Sequence, residues 1–265
     1  MTLISLTITD LLISSSLVLL VALLSWRLYL GSAKQLLIAA TRSAIQLMLL
    51  GYVLHLLFES DSLPLIAALS LFMLSVAGYE VMARQKARFR GAWGYGIGAV
   101  SMFISAFSIT LLTLFVIIQP DPWYKPQYAI PLLGMLLGNT MTGIAIGLDN
   151  LTRNARELRE QIEERLILGQ TWSQAIEDIR KDALRSGLIP IINAMAAAGV
   201  VSLPGMMTGQ ILAGSPPYEA AKYQLMIMYL ITAGTAFGSL AAVWLGSRHL
   251  FDARHRLRLE RLRKR

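Results

Sequence analysis

Asn139, Thr140 and Thr142, and further along the chain Asn193, Ser202, Met206, Met207 and Gln210, are polar or thioether side chains inside runs apolar enough to cross a bilayer. Neutral amides, hydroxyls and thioethers are poor acids, bases and nucleophiles without an activating partner. What they do well is solvate, offering oxygen or sulfur to a small solute in place of water. They mark a candidate substrate path; the plainer alternative for each is a hydrogen bond between helices, worth well under ~2 kcal/mol. Arg42 and Glu80 are the ionisable residues nearest to lying within the membrane. Paired, they would form an inner gate; alone, Arg42 would snorkel its guanidinium to the interface.

Other chemistry is missing. His55, His249 and His255 are scattered without metal-ligand spacing, and there is no cysteine. Of the 12 methionines, only Met206-Met207 stands beside a predicted helix break; the others read as flexible packing. No GxxxxGK[ST], GxSxG or HExxH occurs. The chain is therefore read as a non-enzyme that carries no cofactor and cannot cradle nucleotide phosphates by a P-loop. The last span also lacks a lysine for a retinal Schiff base.

The elements that hold these residues are membrane helices. The composition is 55% hydrophobic and 15% charged, with positive mean hydropathy, and a span needs about 20 apolar residues. Seven spans are predicted: Leu11–Leu30, Leu36–Phe58, Leu63–Ala83, Ala92–Gln119, Ala129–Leu148, Leu188–Leu212 and Leu225–Gly246. Met1–Asp10 has no basic n-region, so the first run is kept as a span rather than a signal peptide. The sixth should break at Pro204-Gly205, because proline removes a ladder donor, and broken helices often line transport paths. Of the 24 Lys and Arg, 22 fall on one side of this arrangement, leaving Lys125 and Lys222 beside Glu59, Asp61, Asp121 and Glu219. Positive loops stay in the cytoplasm, which predicts N-terminus out and C-terminus in. The fold class is all-α: one polytopic membrane domain over 1–265. The basic tail 248–265 is read first as a topology signal, then as a contact for anionic lipid; nucleic acid is not an expected partner.

One long polar segment, 149–187, interrupts the apolar pattern. It predicts two amphipathic helices, the first with Ala155, Leu158, Ile162 and Leu166 on one face and Arg156/Glu160 and Arg159/Glu163 one turn apart. Gly169 suits a helix end, and Thr171 with Gln174 has capping-box spacing. The second stripe is Trp172, Ala175, Ile176, Ile179 and Ala183. Such a segment is either a solvated loop folded on its own base or a docking element with Trp172 as anchor. Small-residue spacings Gly134/Gly138, Gly143/Gly147, Gly205/Gly209 and Gly234/Gly238 predict close helix contacts within the chain, or a dimer seam.

The stretches GMLLGNTMTG (134–143), ALRSGLIPIINAM (183–195) and PGMMTGQILAGSPPYEAAKYQ (204–224) resemble the FetB/YbbM family of ABC-type membrane permease subunits, associated with bacterial iron export and with plant aluminium tolerance. The likeness covers nearly the whole chain. It implies a separate ATP-hydrolysing subunit, a homodimer of the membrane chain, and metal as cargo. The polar segment is also similar to the EAA loop of ABC permeases. Glu163, Gly169 and Ile179 match its spacing, while Glu164-Arg165 replace its alanines and Lys181-Asp182 its Leu-Pro. That likeness implies a coupling element carried by Glu163, Gly169, Thr171, Trp172, Ala175, Ile176 and Ile179. A stand-alone secondary transporter or channel is the alternative function.

Overall fold

The computed structural model describes residues 7–60 and 62–264. Met1–Leu6, Asp61 and Arg265, and with them parts of the expectations on Met1–Asp10, on the outer acidic residues and on the basic tail, lie outside the described residues. In order the elements are α1 (Ile8–Arg27), α2 (Ala33–Ser60), α3 (Leu63–Arg84), β1 (Ala87–Phe89) and α4 (Ala92–Met102). A π-helical turn (Phe103–Phe107), α5 (Ser108–Leu112) and a second π-helical turn (Thr113–Ile118) prolong α4 into one rod. Then follow α6 (Pro126–Glu157), α7 (Arg159–Ile167), α8 (Trp172–Ala175), α9 (Glu177–Ala197), α10 (Gly205–Leu212), α11 (Pro217–His249) and β2 (Leu262–Lys264). Six helices, Ile8–Arg27, Ala33–Glu59, Leu63–Arg84, Ala92–Ile118, Pro126–Glu157 and Pro217–His249, are long and apolar enough to cross a membrane.

The chain divides into two compact units, one built on α1 and α2, the other on the elements from α3 onward. In the first, Ser25 and Ser32 hydroxyls meet at 2.7 Å where α1 turns toward α2. In the second, α6 is the central helix and packs on α3, α9 and α11. Its buried stripe, Leu133, Leu136, Thr140, Ile144, Leu148, Leu151 and Ala155, recurs at three and four residues.

Within lipid, burying an apolar side chain gains little, since hydrocarbon is outside as well as inside; close packing decides instead. The glycines supply it. A methyl group on Gly143 would sit 2.5 Å from Thr235 Cγ2 and 3.0 Å from the Gly187 carbonyl. One on Gly238 would meet Thr140 Cγ2 at 2.5 Å and Ser105 Oγ at 2.8 Å. Gly138, Gly205 and Gly209 by contrast face open space. Some of the expected small-residue contacts are thus consumed inside the chain and others are left free.

The segment expected as a sixth span is two helices. α9 begins far outside it, at Glu177, and ends at Ala197; α10 starts at Gly205. The break therefore covers 198–204 rather than centring on Pro204-Gly205. Gly199 (φ +82°) turns the chain and its N–H donates to the Ser202 carbonyl at 2.9 Å. Pro204 ends the break because a residue without an N–H is tolerated just where a helix begins.

The basic tail, read first as a topology signal, also takes on structure. β2 pairs antiparallel with β1, with Arg88 opposite Arg263, and buries Phe89, Phe251 and Leu262. The tail is a folded strap across the polar base.

Candidate functional site

The polar segment 149–187 is helical over most of its length. Its first part continues α6 without interruption to Glu157, and its last part is the start of α9. Between them α7 and α8 form a short hairpin. Leu158 kinks the chain between α6 and α7, and Arg159 pairs with Glu163 at 2.8 Å as its spacing predicts. Gly169 (φ +86°) makes the turn, in a backbone region where a side chain would be strained. Gln174 Oε1 accepts from the Thr171 N–H at 2.9 Å and starts α8. Arg165 staples the two arms, donating to Asp178 Oδ2 at 2.7 Å and to the Ala175 carbonyl at 3.4 Å.

The apolar stripe points inward: Ile162, Ala175, Ile176 and Ile179 are all buried. Outside lipid such burial does stabilise, by about 1.5–3 kcal/mol for each isoleucine. Trp172 is half-buried against the chain's own tail. Its ring lies 5.9 Å from that of Phe251 and under the Arg248 guanidinium at 5.3 Å. Its N–H donates to His255 Nδ1 at 3.1 Å. What the hairpin does present is Ile167 and Leu168, which are 84% and 75% exposed at the tip.

The membrane residues are spread over several settings. Asn139 and Asn193 are exposed, Asn139 donating to the Met135 carbonyl at 2.8 Å. Thr142 bonds the Gly138 carbonyl at 3.1 Å, and Ser202 lies exposed on the break. Thr140 is fully buried, and among the described residues its hydroxyl has no partner; the same holds for Gln210 Oε1. Met206 is packed against the core and Met207 is half-buried beside it on α10. Arg42 stands on α2 and Glu80 on α3, in different units, and their gate stands as an expectation of the sequence.

The pattern of the uncharacterised protein family UPF0014 matches residues 8–251. The protein belongs to the UPF0014 family. It is 38% identical over 240 residues to a UPF0014 membrane protein of Synechocystis sp., covering 89% of this chain and 90% of that one. It is 32% identical to the probable iron export permease protein FetB of Escherichia coli, with 94% and 93% covered. It is 32% identical to the protein ALUMINUM SENSITIVE 3 of Arabidopsis thaliana, with 86% and 81% covered. No solved structure matches. Like its relatives, this UPF0014 protein is a multi-pass membrane protein.

Sequence reasoning missed two parts of this UPF0014 site. Ile167 and Leu168 fall off the 158/162/166 stripe and immediately precede a helix-ending glycine, which was the available signal for an exposed apolar tip. The strap gave none, because Asp252 organises it among arginines that look like a plain basic run. Asp252 Oδ1 accepts from the N–H groups of Arg254 and Arg256, both at 2.9 Å, and Oδ2 from the guanidinium groups of Arg256 and Arg258 at 2.8 and 3.0 Å. The Arg256 backbone N–H above all, with the guanidinium groups, holds this carboxyl well below the usual carboxylate range. A depressed folded value means that the stabilisation is present above the ordinary 3.8 and is lost only as pH falls through the lower value. Asp252→Asn should therefore loosen the strap at neutral pH, raising the rate of tryptic cleavage at Arg254–Arg258 by about tenfold or more. An unchanged cleavage rate would show that Asp252 does not hold the strap.

Proposed function

We propose that this chain is the permease subunit of an ATP-driven exporter of a metal cation, with iron as the leading candidate, working as a homodimer on a separate P-loop ATPase. The observation that carries this reading is the construction of the α7–α8 hairpin. Two exposed apolar side chains stand at its tip, and two uninterrupted helices, α6 and α9, lead from its arms into the apolar part of the fold. A push on the tip passes to these two helices across the single-residue joints at Leu158 and Ile176. The chain has no phosphate-binding loop, so the push comes from elsewhere. Iron export comes from the name of the Escherichia coli relative. The charge asymmetry sets the hairpin and strap in the cytoplasm of a bacterial inner membrane, with 188–212 as a broken seventh crossing.

Asn139, Asn193 and Ser202 supply the path. Amides and hydroxyls exposed at membrane depth are unfavourable toward lipid, so a second copy or a wet cavity covers them. The open faces of Gly138, Gly205 and Gly209 leave room for that copy. Among the described residues no three His, Asp or Glu gather into a metal cluster. The cargo is accordingly passed on by neutral oxygens and by Met206 and Met207 rather than held.

Two measurements test this. Export from inverted vesicles should require the partner ATPase and ATP; transport by the purified chain alone down an ion gradient would favour a secondary transporter. The chain has no native cysteine, so single cysteines at Asn193 or Ser202 should cross-link two copies under oxidation, while one at buried Ile97 should not. Failure of both exposed positions would remove the proposed seam.

A further inference from the structure

We propose that the cavity between the α3–β1 connection and the far end of α6 binds a phosphate group. The cavity has a volume of about 650 Å³, and its walls carry Arg84, Lys86, Arg153 and Arg156 against the single carboxylate of Glu157. Several other cations of the polar base are neutralised: Arg159 on Glu163, Arg165 on Asp178, Lys181 on Glu177, and Arg256 and Arg258 on Asp252. Among the described residues none of the four cavity cations has an ion pair within 4.0 Å. Like charges around one cavity repel, and a bound anion would relieve that repulsion.

Two further observations bear on how the cavity is built. Gln85, 1% exposed, lines it, with Nε2 donating to the Val81 carbonyl at 3.2 Å and Oε1 buried and, among the described residues, without a partner; that acceptor suits a hydroxyl donor, on a protonated phosphate or a glycerol headgroup, and not a bare phosphate oxygen. The two walls are also fixed to each other, because the Lys86 N–H donates to Asp149 Oδ1 at 2.8 Å. That bond commits the nearest other carboxylate, which lines the neighbouring cavity with Arg84 and Arg153. A second cavity of about 490 Å³, on the other side of β1, is lined by Arg88, Arg90 and Arg263 without any acid.

Guanidinium groups match the geometry of phosphate oxygens two at a time, which favours phosphate over a halide, and four cations facing one carboxylate suit its larger charge better than that of a single carboxylate ligand. Arg84 is the last residue of α3, so the cavity lies where an apolar helix meets its polar base. A phospholipid headgroup reaches it from one side and a soluble phosphate compound from the other. The proposal does not depend on transport.

The test uses the purified full chain in detergent, with bound lipid counted by native mass spectrometry. Phosphatidylglycerol should bind and be retained, and phosphatidylcholine should not compete with it. Arg153→Gln with Arg156→Gln should weaken binding about twenty-five-fold, roughly fivefold for each charge. A charge-matched control, Arg185→Gln with Arg254→Gln, should change it less than threefold. If the double variant unfolds, the exposed Lys86→Gln should still weaken binding about fivefold. Displacement of the lipid by millimolar inorganic phosphate supports the site and assigns it to soluble phosphates; no displacement supports it and assigns it to headgroups. Equal loss in variant and control, or retention within threefold in Arg153→Gln/Arg156→Gln, overturns the proposal. So does a variant that loses only the ATPase subunit, with no phosphate ligand bound by the parent chain, since the basic cavity would then be a protein contact.

Discussion

Replacing Ile167 and Leu168 together by aspartate should abolish copurification with the proposed ATPase subunit while leaving insertion and folding intact. Both side chains are 84% and 75% exposed, so the chain itself loses almost no packing. Seated in a partner's groove, each would contribute about 1.5–3 kcal/mol of burial. Losing both removes about 3–6 kcal/mol, two to four orders of magnitude in affinity, before the cost of burying charge. Trp172→Ala should act differently, because the ring supports the hairpin from the strap side: weaker coupling, but with a lowered melting temperature. If the aspartate pair copurifies like the parent chain, the tip is not the docking point and Trp172 returns as the better candidate.

The second large effect is on stability. Gly143→Ala should destabilise the chain by about 1–3 kcal/mol, the usual cost of overpacking. Its new methyl meets the Gly187 backbone at 3.0 Å as well as Thr235 Cγ2 at 2.5 Å, and backbone gives way less readily than a side chain. Gly238→Ala should fall in the same range, and the pair should not be additive, since both lie on one seam of α6 and α11. Gly209→Val is the counterpart: with nothing within 4 Å, it should leave the melting temperature of the isolated chain unchanged and impair only the proposed pairing of two copies. A Gly143→Ala variant that melts with the parent would mean that the seam can relax, which the fold as described does not allow.

The membrane helices were legible because hydropathy alone selects them. α1 to α3, the rod from Ala92 to Ile118, α6 and α11 overlap six of the seven spans drawn from sequence, with ends that differ by up to nine residues. The differences have a cause. Hydropathy registers where apolar character ends, whereas α6 and α9 remain helical well beyond it, so the sequence pattern divides each continuous shaft into a span and a separate amphipathic helix. The cap at Gly169 and the Thr171–Gln174 turn were legible because they are local. The strap was not, since β1 and β2 are far apart in sequence and each is only three residues long. The division of the glycines into used and open faces was equally hidden: spacing announces a close approach but not which neighbour makes it. Gly143/Gly147 and Gly234/Gly238 are filled from within, Gly205/Gly209 is not.

The pairing of β1 with β2 has a consequence in time. Residues 87–89 leave the ribosome long before 262–264, and at roughly 5–20 residues per second the earlier strand waits on the order of ten to thirty seconds for its partner. Throughout that interval Phe89 and the hairpin's inner face lack the cover that Phe251 and Leu262 later provide. The polar base therefore cannot finish assembling helix by helix as the membrane part can. Its completion acts as a checkpoint, in which a chain stalled after α11 would be inserted in the bilayer yet still open to proteolysis at its base.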